Sequence, residues 1–411
     1  MNMEKRAESM AAAVATAHDV DDPRAGRRLA LEVRRALDGC SADWGILFAS
    51  AHFEPRLSEI AAEVHERLEL RALVGTTAEW TIGGAVEFES RPALVLWAAH
   101  MPGVRVGSFH VCQEDLLRLD TPGAWHDYLG VQPREQPNFV VLSDPFTVST
   151  PGLLERLRQA YPRRPAVGGL ASSGEEPGQN VLIFDGHTLR QGACGVWLAG
   201  NLTMDTIVSQ GCRPIGRHMV ITDGKRNVIR GLGGRPPLAV VIETLQECSE
   251  EDLSLIQTGD LLVGRVINEY QPHFARGDFL IRYPVGFERE SGAMLINDVI
   301  RTGQTIQFHV RDRAAADDDL ATLLAARPRT DAVGTLLFTC NGRGTRLFVG
   351  ASHDARAVSA ATRGRPLAGM CCAGEVGPIG HTSYVHGQTA VAAFFRPPAP
   401  AIENPVDEDA R

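Results

Sequence analysis

Two stretches near the C-terminal end of the chain concentrate residue types that can bind a small charged molecule. Residues 366–386 read P-L-A-G-M-C-C-A-G-E-V-G-P-I-G-H-T-S-Y-V-H and combine small residues with two thiols, one carboxylate and two histidines. Residues 340–344 read C-N-G-R-G and add a guanidinium group. Glycine permits positive φ and lets a ligand approach the backbone closely. The pattern therefore favours two ligand-binding loops.

Arg343 and Glu375 carry opposite charges that match the two ends of an amino acid. A guanidinium can bind a carboxylate through two hydrogen bonds, and a carboxylate at a strand-to-loop edge can bind an ammonium group. Two simpler interpretations stay open: the two side chains pair with each other, or Glu375 accepts hydrogen bonds from its own loop. Arg282 is interpreted as solvated or paired, and Asp298 as part of a turn.

Two earlier segments resemble the C-terminal loop in composition. Leu73–Glu79 reads L-V-G-T-T-A-E and Ala166–Glu175 reads A-V-G-G-L-A-S-S-G-E, so Glu79 and Glu175 hold places similar to that of Glu375. We expect the three loops to converge on one pocket between two domains. The candidate ligand-binding residues are Thr76, Thr77, Ser172, Ser173, Cys340, Asn341, Arg343, Cys372, Gly374, Glu375 and His386.

Two other chemistries can be written for the same residues. Cys340 or Cys372, activated by His386 and oriented by Glu375, would be a catalytic nucleophile. A cysteine or a histidine, His386 or His381, could instead bind a soft metal or haem iron. There is no zinc-ligand spacing and no C-x-x-C-H haem attachment motif. We therefore expect no catalytic residue, no metal and no cofactor, with haem as the alternative.

Composition limits the partners of this 411-residue chain. A net charge of −9 argues against nucleic acid, which needs clustered Lys and Arg. Lys5 and Lys225 are the only lysines, so no G-K-[ST] phosphate-binding loop exists. No apolar run comes close to the length of a membrane-spanning helix, which is about 20 residues. Eight cysteines without a C-x-x-C motif favour a reduced, cytoplasmic location.

The order of apolar and polar segments predicts an α/β fold. Residues 1–40 have helical spacing. The order strand, helix, strand, glycine-rich loop and strand pair then occurs twice before residue 210 and a third time near the C-terminus. Val181–Phe184 and Gly192–Leu198 are predicted to be one such strand pair. We expect two related mixed-sheet domains covered by helices, pseudo-symmetric with internal strand–helix–strand repeats.

The predicted boundaries divide the chain into four parts. They are an N-terminal helical segment (1–40), an N-terminal domain (41–209), a C-terminal domain (210–396) and a disordered acidic, proline-rich tail (397–411).

Several motifs resemble those of the FIST family across residues 41–396. They read Q-G-C-R-P-I-G, F-L-I-R, N-D-V-I, Q-F-H-V-R-D, C-N-G-R-G and G-E-V-G-P-I-G with H-G a few residues later. The resemblance implies an intracellular sensory module that binds a small ligand, amino acids having been proposed, and signals to a separate protein. Some FIST proteins are haem-binding nitric-oxide sensors. No kinase, cyclase, chemoreceptor or F-box segment accompanies the motifs, so the output is undefined.

Overall fold

The chain forms three units with the same order of elements, and the third unit contains an inserted sheet. The structure is a computed structural model that describes residues 9–258, 261–326 and 330–398. The first unit comprises β1 (Ala11–Ala17), α1 (Ala25–Ala36), β2 (Trp44–Ser50), α2 (Leu57–Leu68), β3 (Ala72–Ala78), β4 (Thr81–Gly83), β5 (Val86–Glu87) and β6 (Leu94–His100).

The second unit repeats this order. It comprises β7 (Val104–Val111), α3 (Gln113–Arg118), α4 (Pro122–Leu129), β8 (Asn138–Ser143), α5 (Thr150–Ala160), β9 (Ala166–Leu170), β10 (Leu182–Phe184), β11 (His187–Leu189) and β12 (Ala193–Gly200).

The third unit is interrupted after its first strand by a six-stranded antiparallel sheet, which we call the inserted sheet. The insertion comprises β14 (Cys212–Leu232), α6 (Pro237–Glu247), α7 (Glu250–Thr258), β15 (Leu261–Val266), β16 (Phe279–Arg282), β17 (Pro284–Phe287), β18 (Met294–Arg301) and β19 (Thr305–Arg311). The unit itself comprises β13 (Thr203–Gln210), α8 (Arg313–Ala325), β20 (Gly334–Cys340), α9 (His353–Ala361), β21 (Leu367–Cys372), β22 (Glu375–Ile379), β23 (Thr382–His386) and β24 (Thr389–Arg396).

The three units exchange their small hairpins in a cycle. Each unit's sheet contains a parallel pair, β2–β3, β8–β9 or β20–β21, beside two antiparallel strands. The hairpin β10–β11 of the second unit completes the first sheet, β22–β23 of the third completes the second, and β4–β5 of the first completes the third. The prediction that β10 and β12 pair is therefore wrong, because they lie in different sheets.

Three equivalent glycines allow the hairpins to dock. Gly75, Gly168 and Gly369 each lie in the second strand of a parallel pair, opposite a hairpin residue. A Cβ atom on any of them would lie 1.8–2.1 Å from the carbonyl oxygen of the neighbouring parallel strand. No side chain fits at that distance, so the close packing of strands requires glycine at these positions.

The predicted N-terminal helix is partly wrong. Residues 25–36 are helical, but residues 11–17 form β1 and pair with β6 along its whole length. The alternate residues Ala13, Ala15 and Ala17 are buried. Alanine has high helix propensity, but pairing with a sheet edge and burial of one face outweigh that local preference. Residues 1–8 lie outside the described residues, as does most of the predicted tail.

The central core joins all three units. Trp44 packs edge-to-face on Trp97 with 5.0 Å between ring centroids, and Phe48 contacts Phe338 at 6.0 Å. Phe395 of the third unit lies 5.5 Å from Trp97. The predicted α/β class, with mixed sheets and repeated strand–helix–strand units, is confirmed. Among the described residues, no helix is both long enough and apolar enough to span a bilayer.

Candidate functional site

The parallel strands of the third unit deliver the predicted charged residues to one edge of their sheet. Cys340 and Cys372 are register partners at the carboxyl ends of β20 and β21. The chain after Cys340 carries Arg343, and the chain after Cys372 turns through Gly374 into β22, which begins with Glu375. Loops at the carboxyl ends of neighbouring parallel strands lie side by side, and this geometry brings the two charged residues into one region.

Arg343 is fully buried and forms an ion pair with Asp354 near the N-terminus of α9. The two side chains are 0% exposed, and they bond through Nε–Oδ2 (2.6 Å) and Nη2–Oδ1 (2.9 Å). Burial opposes ionisation of Asp354, but the Arg343 charge and its hydrogen bonds lower the pKa of that carboxyl to about 2. The Nη1 atom of Arg343 has no hydrogen-bond partner among the described residues.

Glu375 is buried, and only one of its two carboxyl oxygens has hydrogen-bond partners among the residues described. Its Oε2 accepts hydrogen bonds from the backbone N–H (3.2 Å) and the hydroxyl (2.6 Å) of Thr389. Its Oε1 has no partner within the part of the chain that the structure describes. Burial raises the pKa of Glu375 to about 8, and the Thr389 bonds and the Arg343 charge only partly offset this rise. At neutral pH the carboxyl group is therefore mostly protonated.

Gln388 lies in the turn between β23 and β24 with a left-handed backbone. Its φ is 61°, which costs roughly 1 kcal/mol or more for a non-glycine residue. Its Nε2 donates to the hydroxyl of Tyr283 in the inserted sheet, and its carbonyl accepts from Gly211 N–H (2.7 Å). Its Oε1 is unpartnered among the described residues. We call Arg343, Asp354, Glu375 and Gln388 the charged site.

The inserted sheet closes the charged site from one side. A Cβ atom on Gly211 would lie 2.9 Å from Arg343 Nη1 and 2.7 Å from the Gln388 carbonyl oxygen. The backbone at Gly211 thus lies directly against two members of the site. A shift of Arg343 or Gln388 would therefore change the packing of the chain directly before β14.

Sequence reasoning missed four residues of this region, Asp354, Glu87, Gln388 and Thr389. Glu87 comes from the exchanged hairpin of the first unit, and its Oε1 accepts from the N–H of Ala355 in α9 (2.9 Å). Burial and the nearby Asp354 raise the pKa of Glu87 to about 7. No local pattern signals these residues, because they meet Arg343 and Glu375 only through the packing of distant elements. The position of Gln388 directly after Gly387, in a turn, is the one sequence feature that could have suggested it.

The loop that carries Arg343 lies beside an open cleft. The Gly342 carbonyl accepts a hydrogen bond from Arg311 (3.3 Å), and a Cβ atom on Gly342 would lie 3.1 Å from Gln388 Nε2 and 3.4 Å from Arg311 Nη1. Arg311 and Arg346 line the cleft, which has a volume of about 370 Å³. Arg311 therefore contacts the loop of the charged site and also lines the cleft.

The structure divides the other predicted ligand-binding residues between two places. Asn341, Cys340, Cys372, Gly374 and His386 lie in the third unit near the charged site. Asn341 N–H bonds to the Cys372 carbonyl (2.9 Å), and the Gly374 carbonyl accepts from Leu170 N–H (2.8 Å).

Thr76, Thr77 and Ser173 lie where the first and second units meet, and Ser172 lies beside Cys371 of the third unit. The Thr77 hydroxyl contacts Ser173 Oγ at 2.6 Å, and Ser173 also bonds to Asn180 at 3.0 Å. Thr76 Oγ1 donates to the Val181 carbonyl (3.0 Å), and Ser172 Oγ donates to the Cys371 carbonyl (2.8 Å). These four hydroxyl groups already have protein partners.

The three loops do meet, but they do not enclose the expected pocket. Cys371 Sγ accepts from Trp80 N–H (3.2 Å), and a Cβ atom on Gly169 would lie 2.2 Å from Cys372 Sγ. Met370, Cys371 and Cys372 are 0% exposed and fill the space between the loops. The expectation of one shared hollow is therefore wrong, because the protein's own side chains occupy it.

The expected equivalence of the three glutamates is also wrong. Glu79 is exposed and pairs with Arg346, and Glu175 is exposed as well. Strand register shows that the residues matching Glu375 in the other two hairpins are Thr81 and Leu182. The third unit alone has a carboxylate at this position.

The thiols and His386 do not form a catalytic pair. Burial and the nearby Glu375 raise the pKa of Cys340 to about 12, and burial raises the pKa of Cys372 well above its usual value. His386 is bonded through Nε2 to the Gly377 carbonyl (2.9 Å), and burial lowers its pKa to about 4. Protonated thiols are poor nucleophiles. The geometry gives no support to a cysteine-dependent enzyme.

The histidines do not fit a haem site either. The His386 ring is 3% exposed between β22 and the residues around it, with Nε2 already hydrogen-bonded. His381 Nε2 lies 2.8 Å from Arg163 Nη2 in an exposed position. His386 Nδ1 has no hydrogen-bond partner among the described residues, but a ring this deeply buried would have to be uncovered before it could bind haem iron. Among the described residues, no group of three or more His, Cys, Asp or Glu side chains is placed to hold a metal ion.

The mixed α/β fold thus holds a buried, partly unpaired charged site at the carboxyl ends of parallel strands. The FIST N domain model matches residues 43–235 and the FIST C domain model matches residues 237–378. The chain therefore belongs to the FIST family, and the resemblance seen in its motifs is confirmed. FIST domains imply a sensory role in which a small ligand is bound.

Similar proteins occur in mycobacteria. An uncharacterized protein of Mycobacterium tuberculosis (strain ATCC 25618 / H37Rv) is 36% identical over 385 residues, which cover 93% of this chain and 98% of that protein. One of Mycobacterium bovis is 36% identical over 378 residues, covering 91% and 96%. A cyanuric acid hydrolase structure from A. caulinodans covers 95% of this chain and 100% of its own at 9% identity with a TM-score of 0.35. That TM-score supports no inference about fold or activity.

Proposed function

We propose that the charged site binds a small zwitterion of the amino-acid class and that the protein signals its occupancy to a separate protein. The observation that carries the proposal is the pair of unsatisfied buried atoms Arg343 Nη1, of a guanidinium, and Glu375 Oε1, of a carboxyl group that can ionise beside a cation. A buried polar atom without a partner costs free energy. A ligand carboxylate at Arg343 and a ligand ammonium at Glu375 would satisfy both.

The ion pair with Asp354 prepares Arg343 for this role. Two of its guanidinium nitrogens are held by the carboxylate, so the orientation of the third is fixed before a ligand arrives. Fixed orientation reduces the entropy lost on binding. Arg343 and Glu375 do not pair with each other among the described residues, although the simpler interpretation of the sequence allowed that.

Entry requires movement of the loop at Gly342, because both charged side chains are fully buried. In this proposal the open cleft beside the loop, lined by Arg311 and Arg346, is the route of approach. In this proposal the loop closes over the ligand, and the contacts of Gln388 with Gly211 and Tyr283 pass the change to the inserted sheet. The partner protein would then recognise the altered cleft or inserted sheet.

A thermal-shift screen across the twenty amino acids tests the proposal, followed by calorimetric titration of any that stabilise the protein. A ligand that binds only the native state adds about 2.7 kcal/mol to the free energy of unfolding when its concentration is 100 times its Kd. Glu375→Gln, which keeps the shape but cannot ionise to bind an ammonium group, should weaken binding at least about tenfold.

Glu79→Gln is the matched control for that variant. It makes the same chemical change at an exposed carboxylate beside the same loop and should leave the Kd unchanged. If no amino acid stabilises the protein, or if Glu375→Gln binds as well as the parent chain, the proposal fails.

A further inference from the structure

A second cleft lies where three parts of the molecule meet, away from the charged site. Its lining comes from α5 of the second unit, from β15, β16 and β18 of the inserted sheet, and from β23 of the third unit. The cleft has a volume of about 140 Å³, which suits a molecule of a few heavy atoms. Its walls come from both FIST domains.

Two arginines share one acid in this cleft. Arg265 Nε (2.9 Å) and Arg282 Nε (2.8 Å) both bond to the same oxygen, Oδ2, of Asp298. The other oxygen of Asp298 accepts from Val299 N–H (2.8 Å). Both oxygens of the carboxylate are therefore engaged, and Asp298, interpreted from sequence as a turn residue, instead holds two guanidinium groups.

Several donors of these arginines remain unused. Arg282 Nη1 donates to the carbonyls of Ile281 and Val385, but its Nη2 has no acceptor within the described ranges. Both Nη atoms of Arg265 likewise lack one there. The side chains of Arg265, Arg282 and Asp298 are only 12–18% exposed, and all three line the cleft.

The rest of the lining also favours a negatively charged guest. Arg158 at the rim is paired with Glu155, so the three arginines and two acids leave one positive charge in excess. The Ser383 hydroxyl accepts from Ala166 N–H (2.9 Å) and keeps its own proton to donate. Uncompensated charge in a sheltered position is costly unless a counter-charge occupies it.

The geometry points to a binding site for a small oxyanion, a carboxylate or a phosphate, gripped by Arg265 and Arg282. Planar guanidinium groups match both oxyanions through paired hydrogen bonds. The site is separate from the proposed amino-acid site, but Arg282 touches the carbonyl of Val385, the residue before His386, which pairs with Glu375. An anion here would fix the hairpin that positions Glu375.

Calorimetry and thermal shift with sodium phosphate, and separately with sodium succinate, test this site against sodium chloride at equal ionic strength. We expect phosphate, succinate or both to raise the stability of the protein above its value in chloride. The anion that does so shows whether the site prefers a phosphate or a carboxylate. Arg265→Gln should weaken that binding at least about tenfold, because it removes charge-assisted donors while Arg282 still holds Val385.

Two controls make the outcome decisive. Arg276→Gln removes an arginine that pairs with Asp318 and Asp319 outside the cleft, and should leave anion affinity unchanged. Glu375→Gln should also leave it unchanged within about twofold, so failure of the amino-acid proposal would not be mistaken for failure of this one. No stabilisation beyond chloride, or equal affinity in Arg265→Gln and the parent chain, would overturn the inference.

Discussion

Two buried polar clusters lie at the loop ends of parallel strands in this molecule, and only one of them is complete. In the hydroxyl cluster, Thr77, Ser173, Asn180 and Asp144 satisfy one another through bonds of 2.6–3.0 Å. In the charged site, three members each keep one buried atom without a partner among the described residues.

In our proposal, this difference separates a structural cluster from a binding site. A satisfied network fixes the contact between two units and has nothing left to offer a ligand. Unsatisfied buried atoms are retained at a cost, and sites of function are where proteins carry such costs. If the charged site served packing alone, we would expect its polar groups to be hydrogen-bonded to one another, as those of the hydroxyl cluster are.

Breaking the ion pair of the charged site should have the largest effect on stability. Arg343→Ala leaves Asp354 buried with only His353 Nδ1 (3.0 Å) beside it, and breaking a buried ion pair typically costs about 3–5 kcal/mol. We expect a loss of this size in the free energy of unfolding measured by urea denaturation. Arg346→Ala, three residues along the same loop and half exposed, should cost less than about 1 kcal/mol. Equal costs for the two variants would contradict the account.

The pH dependence of stability should distinguish the two clusters next. The pKa of Glu375 is raised from 4.5 to about 8, so between these values the folded state holds a proton that the unfolded state has lost. Unfolding free energy should therefore fall as pH rises from about 4.5 to 8, by an amount on the order of a few kcal/mol.

Glu375→Gln removes this dependence, because glutamine does not titrate. Urea denaturation at several pH values between 5 and 9 measures the slopes of parent and variant. Glu87→Gln should remove a smaller part, over a window that ends near pH 7. Parallel slopes for the parent chain and Glu375→Gln would show that Glu375 is not held in its neutral form.

A substitution in the hydroxyl cluster should have the smallest effect and should be confined to stability. Thr77→Val keeps the shape but leaves Val181 N–H, now bonded to Thr77 Oγ1 at 2.9 Å, without an acceptor. The expected cost is about 1–3 kcal/mol in urea denaturation. Ligand affinity of the charged site should not change, and a change of tenfold or more would mean that the two clusters are not independent.

Much of the fold could be predicted from sequence because it depends on local patterns. The buried strands, the helices between them and the glycine-rich loops follow from periodicity, and the third repeat was visible in the same way. The exchange of hairpins between units cannot be predicted in this way, because strands of three residues carry too little pattern to specify a distant partner. β1 was mistaken for a helix for the same reason, because its pairing with β6 is non-local.

The charged site was only half predictable. Arg343 and Glu375 stood out because charged residues among glycines are unusual in composition. Asp354 and Thr389, which hold them, lie 11 and 14 residues away, on a helix and a strand that local reasoning cannot place. The three glutamates are not equivalent. The feature that the three units share is a glycine packed against the carbonyl oxygen of the neighbouring parallel strand, and no acidic residue is repeated with it.

Proton release measures the central claim most directly. At pH 7 Glu375 is mostly protonated, so binding an ammonium group must displace its proton. Calorimetric titration of a stabilising amino acid in buffers of different ionisation enthalpy should therefore report close to one proton released per ligand, with a fall in affinity below pH 8. Glu375→Gln should release none. Binding whose enthalpy does not depend on the buffer would contradict the account.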